Sequence, residues 1–161
     1  MKLKKRDSGA VKAKTHIGYF DGACRPNPGV MGIGAVLKSG DDEIGRVSRC
    51  EGQGTCNRAE WLALIALLEL AIEKGVQVLE VRGDSRLVIQ QVKGKWRVKA
   101  RELEPFRDRA LILAKRFQSV RFIHVRRADN VEADKLSKKG RRDRNRDGSP
   151  VTWRDVVRWS V

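Results

Sequence analysis

The segment RAEWLALIALLELAIEKG (residues 58–75) is the strongest helix signal in this sequence. Good helix formers fill it, and Gly75 supplies a stop. The segments before it follow a different period, because their apolar residues alternate as they do in strands. Three such segments precede the helix, and a short SGDD turn joins the second to the third: HIGYFDG (16–22), VMGIGAVLK (30–38) and EIGRVSRC (43–50). The chain therefore opens with an antiparallel meander.

After this helix, strand and helix patterns alternate. A second long amphipathic helix is predicted over residues 101–118, with Pro105 in its first turn. The remaining elements are a strand VQVLEVRG (76–83), a short helix DSRLVIQQVKG (84–94), a strand VRFIHV (120–125) and a helix NVEADKLSKKG (130–140). The order β-β-β-α-β-α-α-β-α predicts an α/β fold with a mixed five-stranded sheet and helices on both faces.

Composition restricts the class of protein. The chain has 161 residues, 40% of them hydrophobic, which suits one domain with a real core. It contains no apolar run long enough for a membrane span and no secretory signal pattern. Three cysteines at no metal-like spacing indicate reduced thiols. We therefore expect a cytoplasmic protein that acts as a monomer and contacts no membrane.

The net charge of +15 indicates a polyanionic partner. Much of it lies at the two ends, since residues 1–14 carry six Lys or Arg against one Asp, and residues 138–148 carry six against two. The predicted organisation is a basic arm (1–14), a catalytic domain (15–140), and a basic linker with a short C-terminal helix (141–161). Tails of this kind also occur merely to raise solubility, and the sequence leaves that alternative open.

Four acidic residues fall where strands end or helices begin: Asp21, Glu60, Asp84 and Asp134. Read singly, each has an ordinary structural explanation, such as a turn residue, a capping box with Asn57, or a helix N-cap. Read together, they flank one central sheet. Two carboxylates about 5 Å apart repel by roughly 3 kcal/mol at an effective dielectric near 20, so such a cluster needs cations. Oxygen ligands favour Mg²⁺ or Mn²⁺, which indicates a metal-dependent enzyme acting on nucleic acid.

Four blocks of sequence carry a family resemblance: YFDGACRPNPGVMGIGAVL (19–37), NRAEWLALIALLEL (57–70), VRGDSRLVIQQVKGKW (81–96) and HVRRADNVEADKLS (124–137). Together they resemble the type 1 ribonuclease H family, in the family's order. The resemblance implies a ribonuclease H fold whose second strand runs antiparallel to its neighbours. It implies that the four acids bind two Mg²⁺ ions, with Mn²⁺ able to substitute. The implied reaction is endonucleolytic hydrolysis of the RNA strand of RNA/DNA hybrids, leaving 5′-phosphate and 3′-hydroxyl ends.

The same resemblance implies a set of substrate-binding residues: Cys24, Asn27, Asn57, Arg58, Ser85, Trp96, Arg127 and Asn130. Cys56 stands where the family often has Asn. The loop RRAD lacks the catalytic His of many members and resembles the short-loop, archaeal-like branch, so Arg127 is the candidate in its place. His124 lies in a predicted strand and is read as structural.

The segment VKGKWRVKAR (92–101) is shorter than the basic protrusion of some relatives. It predicts a reduced version of that protrusion, in which Trp96 stacks on a sugar or base. Packing of Trp96 between helices is the alternative reading. Three alternative functions also stay open. They are the same site cutting double-stranded RNA as well, a binding module without catalysis, and a basic RNA-binding protein without chemistry.

Overall fold

The computed structural model describes residues 12–143, and its elements follow the predicted order. Two short 3-10 turns, Arg101–Leu103 and Arg127–Asp129, precede the last two helices. The elements are β1 (Thr15–Arg25), β2 (Gly29–Ser39), β3 (Asp42–Gly54), α1 (Cys56–Glu73), β4 (Val78–Gly83), α2 (Arg86–Val92), α3 (Glu104–Ala114), β5 (Ser119–His124) and α4 (Val131–Arg142).

The five strands form one mixed sheet in the order β3-β2-β1-β4-β5. β2 runs antiparallel to both of its neighbours, while β1, β4 and β5 are parallel. β1 is therefore the central strand, and Asp21 on it lies opposite Gly34 of β2. The predicted mixed sheet with an antiparallel second strand is confirmed.

Helices cover both faces of the sheet, as predicted. The even-numbered residues of β1 face α1, since a Cβ on Gly18 would touch Leu67. The odd-numbered residues face α4, since a Cβ on Gly34, which pairs with Asp21, would touch that helix. α3 packs on α1 from the side away from the sheet. This arrangement explains why α1 is apolar on nearly all sides, with residues 61–68 all buried.

The second long helix is shorter than predicted. α3 ends at Ala114 rather than at residue 118, and a 3-10 turn replaces its expected first turn. The chain leaves the helix because Gln118 donates its backbone N–H to the Gln77 carbonyl at 2.8 Å, which aligns β5 beside β4. Phe117 is buried although it lies beyond the end of the helix. Its spacing from the apolar residues of α3 therefore reflects burial and not helical structure. Pro105 lies in the first turn, as expected.

The last helix is longer than predicted, because α4 includes Arg141 and Arg142 from the expected linker. Lys138 pairs with Asp134 one turn earlier at 2.8 Å, and Gly140 packs against the backbone of Arg49 on β3. Basic side chains also suit the negative end of a helix dipole. The basic arm, apart from residues 12–14, and the predicted C-terminal helix lie outside the described residues. Within 12–143, no helix is long and apolar enough to cross a membrane.

Candidate active site

Three of the four predicted acids come together beside the central strand. Asp21 lies on β1, Glu60 projects from the second turn of α1, and Asp84 follows β4. One carboxylate oxygen from each lies within 4.8 Å of the others. Neither Glu60 nor Asp84 is a helix cap, because Thr55 caps α1 and Ser85 caps α2. The capping explanations for these two acids are therefore wrong.

Glycines allow both covering helices to approach Asp21. A Cβ on Gly22 would lie 2.3 Å from the backbone nitrogen of Glu60, and a Cβ on Gly34 would lie 2.4 Å from that of Ser137. Real Cβ atoms do not come so close to backbone atoms, so only glycine fits at either position. The two helices thus meet the sheet at the level of Asp21, each on its own face.

The cluster resists ionisation. The pKa of Asp21 is raised from 3.8 to about 7, chiefly by burial and also by the charges of Asp84 and Asp134, while a hydrogen bond from Ser137 opposes the shift. Burial also raises the pKa of Glu60 well above its ordinary value, and the charges of Asp21 and Asp84 add to this. Carboxylates held this close need a positive charge among them in order to ionise together.

The donor set fits a hard divalent cation. Glu60 Oε2 is buried and has no hydrogen-bond partner among residues 12–143, although buried polar atoms are ordinarily satisfied. The three clustered acids offer only oxygen ligands, which Mg²⁺ and Mn²⁺ prefer. A carboxylate with one unsatisfied buried oxygen, close to two other carboxylates, fits the chemistry of a metal ligand.

Asp134 lies in the same cleft but outside this group of three. Its carboxylate accepts from Lys138 Nζ at 2.8 Å. The next turn of α4 brings Ser137, which is fully buried and donates to Asp21 Oδ2 at 2.5 Å. No sequence pattern singles out Ser137, because a Ser in a helix usually faces solvent or bonds its own backbone.

The acids form the floor of an open cleft of about 540 Å³. Cations surround the rim, and Arg127, whose side chain is 89% exposed, places its Nε 3.8 Å from Asp84 Oδ2. The basic residues of the rim are Arg25, Arg126, Arg127, Lys138 and Arg141. A phosphate backbone can therefore approach the carboxylates between positive side chains.

His124, which is predicted to be structural, lies beside the acidic cleft. It is the last residue of β5, its side chain is exposed, and it lines the acidic cleft. Its Nε2 lies 3.2 Å from the carbonyl oxygen of Asp84. The alternation of residues in β5 does not indicate that His124 lines the cleft. Its position at the carboxyl end of a parallel strand does, since ligand-binding sites in α/β sheets form at those ends.

Seven of the eight predicted substrate contacts divide into three groups. Cys24, Asn57, Ser85 and Arg127 line the cleft. Near them, Asn27 Oδ1 accepts from the backbone N–H of Cys56 at 3.2 Å, and the half-buried Arg58 follows in α1. Trp96 lies apart, 43% exposed beside a second groove of about 560 Å³ that shares Asn57 with the cleft. Trp96 is therefore not packed between helices.

Asn130 does not fit the expected role of a substrate contact. It is 1% exposed, and its Nδ2 donates to the carbonyl oxygen of Phe20 at 2.9 Å. This bond joins the start of α4 to β1 directly beside Asp21. A buried amide cannot reach a nucleic-acid backbone, so we assign Asn130 a structural role in place of the predicted one.

The fold and the carboxylate cleft together define the ribonuclease H-like class. Residues 19–140 match the family described as reverse transcriptase-like. The ribonuclease HI of Halobacterium salinarum is 44% identical over 120 residues, which are 74% of this chain and 60% of that protein. The crystal structure of RNase H1 from Halobacterium salinarum superposes with a TM-score of 0.78 at 41% identity, covering 80% of this chain and 98% of that one.

A third relative was crystallised with a ligand. The LC11-RNase H1 structure in complex with an RNA/DNA hybrid has a TM-score of 0.72 at 32% identity, covering 76% of this chain and 94% of that one. This chain belongs to the ribonuclease H family. It spans 60% of the length of the curated halobacterial relative and 33% of mycobacterial relatives that are 37% identical to it.

Proposed function

We propose that this protein is an endonuclease that hydrolyses the RNA strand of RNA/DNA hybrids and leaves 5′-phosphate and 3′-hydroxyl ends. The observation that carries the proposal is the group of three carboxylates within 4.8 Å at the floor of an arginine-rimmed cleft. A binding module without chemistry has no use for buried acids that repel one another, or for a Glu60 oxygen that finds no partner in the described part of the chain.

In this proposal Asp21, Glu60, Asp84 and Asp134 hold two divalent ions, Mg²⁺ in the first place and Mn²⁺ as a substitute. Bound ions would supply a water of lowered pKa as nucleophile and positive charge for the leaving 3′-oxygen. The chain's own part is to fix the geometry. Ser137 orients Asp21 through its hydroxyl, and Gly22 orients Glu60 through its backbone N–H.

Arg127 is proposed to bind the phosphate next to the scissile bond and to aid product release. Its guanidinium is exposed and lies on the rim above Asp84, where a fork of N–H donors can meet phosphate oxygens. Substrate contacts are also proposed for residues that line the cleft, Cys24, Asn57 and Ser85, and for their neighbours Asn27 and Arg58. Since the 2′-hydroxyl distinguishes RNA from DNA, amide and carboxylate oxygens near the cut suit recognition of the ribose strand.

The second groove is proposed to hold the DNA strand. Trp96 has Arg86 stacked over its ring at 5.5 Å, and Asn57 connects this groove with the acidic cleft. The groove is basic, with Lys95, Arg97 and Lys99 along it. An exposed aromatic ring beside cations is a stacking platform for a sugar or base. The basic ends of the chain would add affinity without sequence preference.

The test is cleavage of end-labelled RNA/DNA hybrid, double-stranded RNA, single-stranded RNA and single-stranded DNA, with Mg²⁺ or Mn²⁺ and with a chelator. We expect hybrid to be cut fastest, only in the RNA strand, and only with metal. A 3′-hydroxyl end is checked by extension with a polymerase. If double-stranded RNA were cut as fast as hybrid, the substrate assignment would be wrong while the metal site would stand.

A further inference from the structure

Two thiols, Cys24 and Cys56, meet at the rim of the acidic cleft. Cys24 lies near the end of β1, and Cys56 begins α1. Cys24 Sγ lies 3.1 Å from the carbonyl oxygens of both Pro26 and Gly54, and Cys56 Sγ lies 3.5 Å from the carbonyl oxygen of Cys24. Both side chains are half-buried and line the cleft, so they are open to small solutes.

Both sulfur atoms contact the same junction between β1 and α1, since Cys24 Sγ meets the carbonyl of Gly54, two residues before Cys56, and Cys56 Sγ meets the carbonyl of Cys24 itself. Burial raises the pKa of Cys24, and the neighbouring Cys56 thiol raises it further. Cys50, the third cysteine, is buried on β3 opposite Gly32 and lines neither groove. The chain therefore offers one accessible pair of thiols and one cysteine that serves as an internal reference.

We propose that Cys24 and Cys56 are a modification site at which a peroxide forms an intramolecular disulfide that reversibly blocks the cleft. One thiol gives up its proton, the thiolate attacks an oxygen of hydrogen peroxide, and the O–O bond breaks to leave a sulfenic acid. The released hydroxide takes up the proton and becomes water. The second thiol then attacks that sulfur, an S–S bond forms, and a second water leaves. Two thiols lose two electrons and two protons in total, and one peroxide is reduced to two waters.

The position of the pair gives the bond its effect. Cys24 is three residues from Asp21, and Cys56 is four residues from Glu60, so the bond would tie β1 to α1 at the entrance to the cleft. Asn27 already meets the backbone of Cys56 at this point. A disulfide would fix this loop against the helix and remove both thiols from the surface that a nucleic-acid backbone approaches. The loss of cleavage rests on the proposed function, whereas formation of the bond does not.

The test treats the full chain with hydrogen peroxide, blocks free thiols, and maps peptides by mass spectrometry before and after reduction with dithiothreitol. We expect a peptide pair joined through Cys24 and Cys56, with Cys50 still alkylated. Cleavage and binding of hybrid are expected to fall at least tenfold on oxidation and to return on reduction. The Cys56→Ser variant should form no disulfide and keep its own activity under peroxide, while Cys50→Ser should respond as the unchanged protein does.

The outcomes separate the two proposals. Absence of the Cys24–Cys56 peptide pair overturns the modification site, whatever the nuclease activity. A disulfide that leaves hybrid binding and cleavage unchanged overturns the blocking effect. A disulfide in a protein whose reduced form cuts no hybrid supports the site and refutes the proposed function.

Discussion

Asp21 is held between groups that oppose its charge and one hydroxyl that favours it. Its pKa is raised to about 7, chiefly by burial, even though the Ser137 hydroxyl donates to the carboxylate and opposes the shift. Metal binding requires the deprotonated carboxylate, so the affinity for metal should rise with pH through about 7. Ser137 therefore contributes to the metal site without touching the ion.

Ser137→Ala should move the pH midpoint of metal binding upward and weaken metal affinity about 10-fold to 100-fold, as loss of a group that orients a ligand usually does. Isothermal titration with Mn²⁺ between pH 6 and pH 8 measures both. Ser48→Ala is the matched control, because Ser48 donates to the Leu136 carbonyl of the same helix rather than to Asp21. Equal midpoints in the two variants would disprove the role of Ser137.

The raised pKa of Asp21 also predicts a pH dependence of stability without metal. The folded protein binds this proton more tightly than the unfolded chain does, so the stabilisation is complete below the ordinary pKa of 3.8 and is lost as pH rises through about 7. The slope from one such group is at most about 1.4 kcal/mol per pH unit. Urea unfolding in a chelator should show a flatter profile for Asp21→Asn between pH 5 and pH 7. If the free energy of unfolding changed with pH equally in Asp21→Asn and in the unchanged protein, the raised pKa of Asp21 would be contradicted.

At the scale of elements, the close approach of α4 to β2 sets the site. Gly34→Ala should destabilise the protein by about 1–3 kcal/mol or more, because its Cβ would meet the helix backbone, which cannot move aside locally. It should also weaken metal binding, since Ser137 moves with α4. Gly18→Ala is the control on the same sheet. The atoms nearest to its Cβ would belong to the Leu67 side chain, which can change rotamer, and not to a helix backbone.

Thermal unfolding and metal titration of the two glycine variants measure this effect. Gly18→Ala should lose less stability than Gly34→Ala and should bind metal as the unchanged protein does. Equal metal affinity in Gly34→Ala and Gly18→Ala would show that the distance between α4 and β2 does not control the site.

The helices and strands were largely predictable from sequence. Apolar residues recur every second position before α1 and about every 3.6 positions within it, and strand and helix patterns alternate afterwards. Helix ends were not predictable. Residues 138–142 resemble a solvated linker, but contacts with Asp134, with Arg49 and with Gly32 of β2 hold them in α4. The acids were found from their positions, whereas the burial of Asn130 and the exposure of His124 depend on tertiary packing that no local pattern records.

At the scale of the whole molecule, a cluster of acids lies within a protein of net charge +15. The basic side chains attract a polyanion, and the acidic cluster repels it unless cations are bound. Substrate affinity and metal dependence should therefore be separable, since they belong to different residues.

Replacing Lys2, Lys4, Lys5 and Arg6 together with Gln should weaken hybrid binding and reduce its salt dependence. The logarithmic slope should fall by about 0.9 for each phosphate that the arm no longer neutralises. The metal concentration for half-maximal cleavage should stay unchanged. Binding measured by fluorescence anisotropy at several salt concentrations tests the first point, and single-turnover cleavage tests the second. A changed metal requirement would mean that the basic arm acts on the site itself.

Asp84→Asn in a Mg²⁺ titration tests most directly whether the carboxylate cluster performs metal-dependent cleavage of hybrid. Loss of a residue that only hydrogen-bonds a metal ligand lowers activity by up to roughly 100-fold. Loss of a ligand itself should lower the cleavage rate by more than that, while hybrid binding is retained. The unchanged protein should cut only with metal, and Asp84→Asn should bind hybrid but show almost no cleavage at any Mg²⁺ concentration. Unchanged turnover by Asp84→Asn would contradict the site.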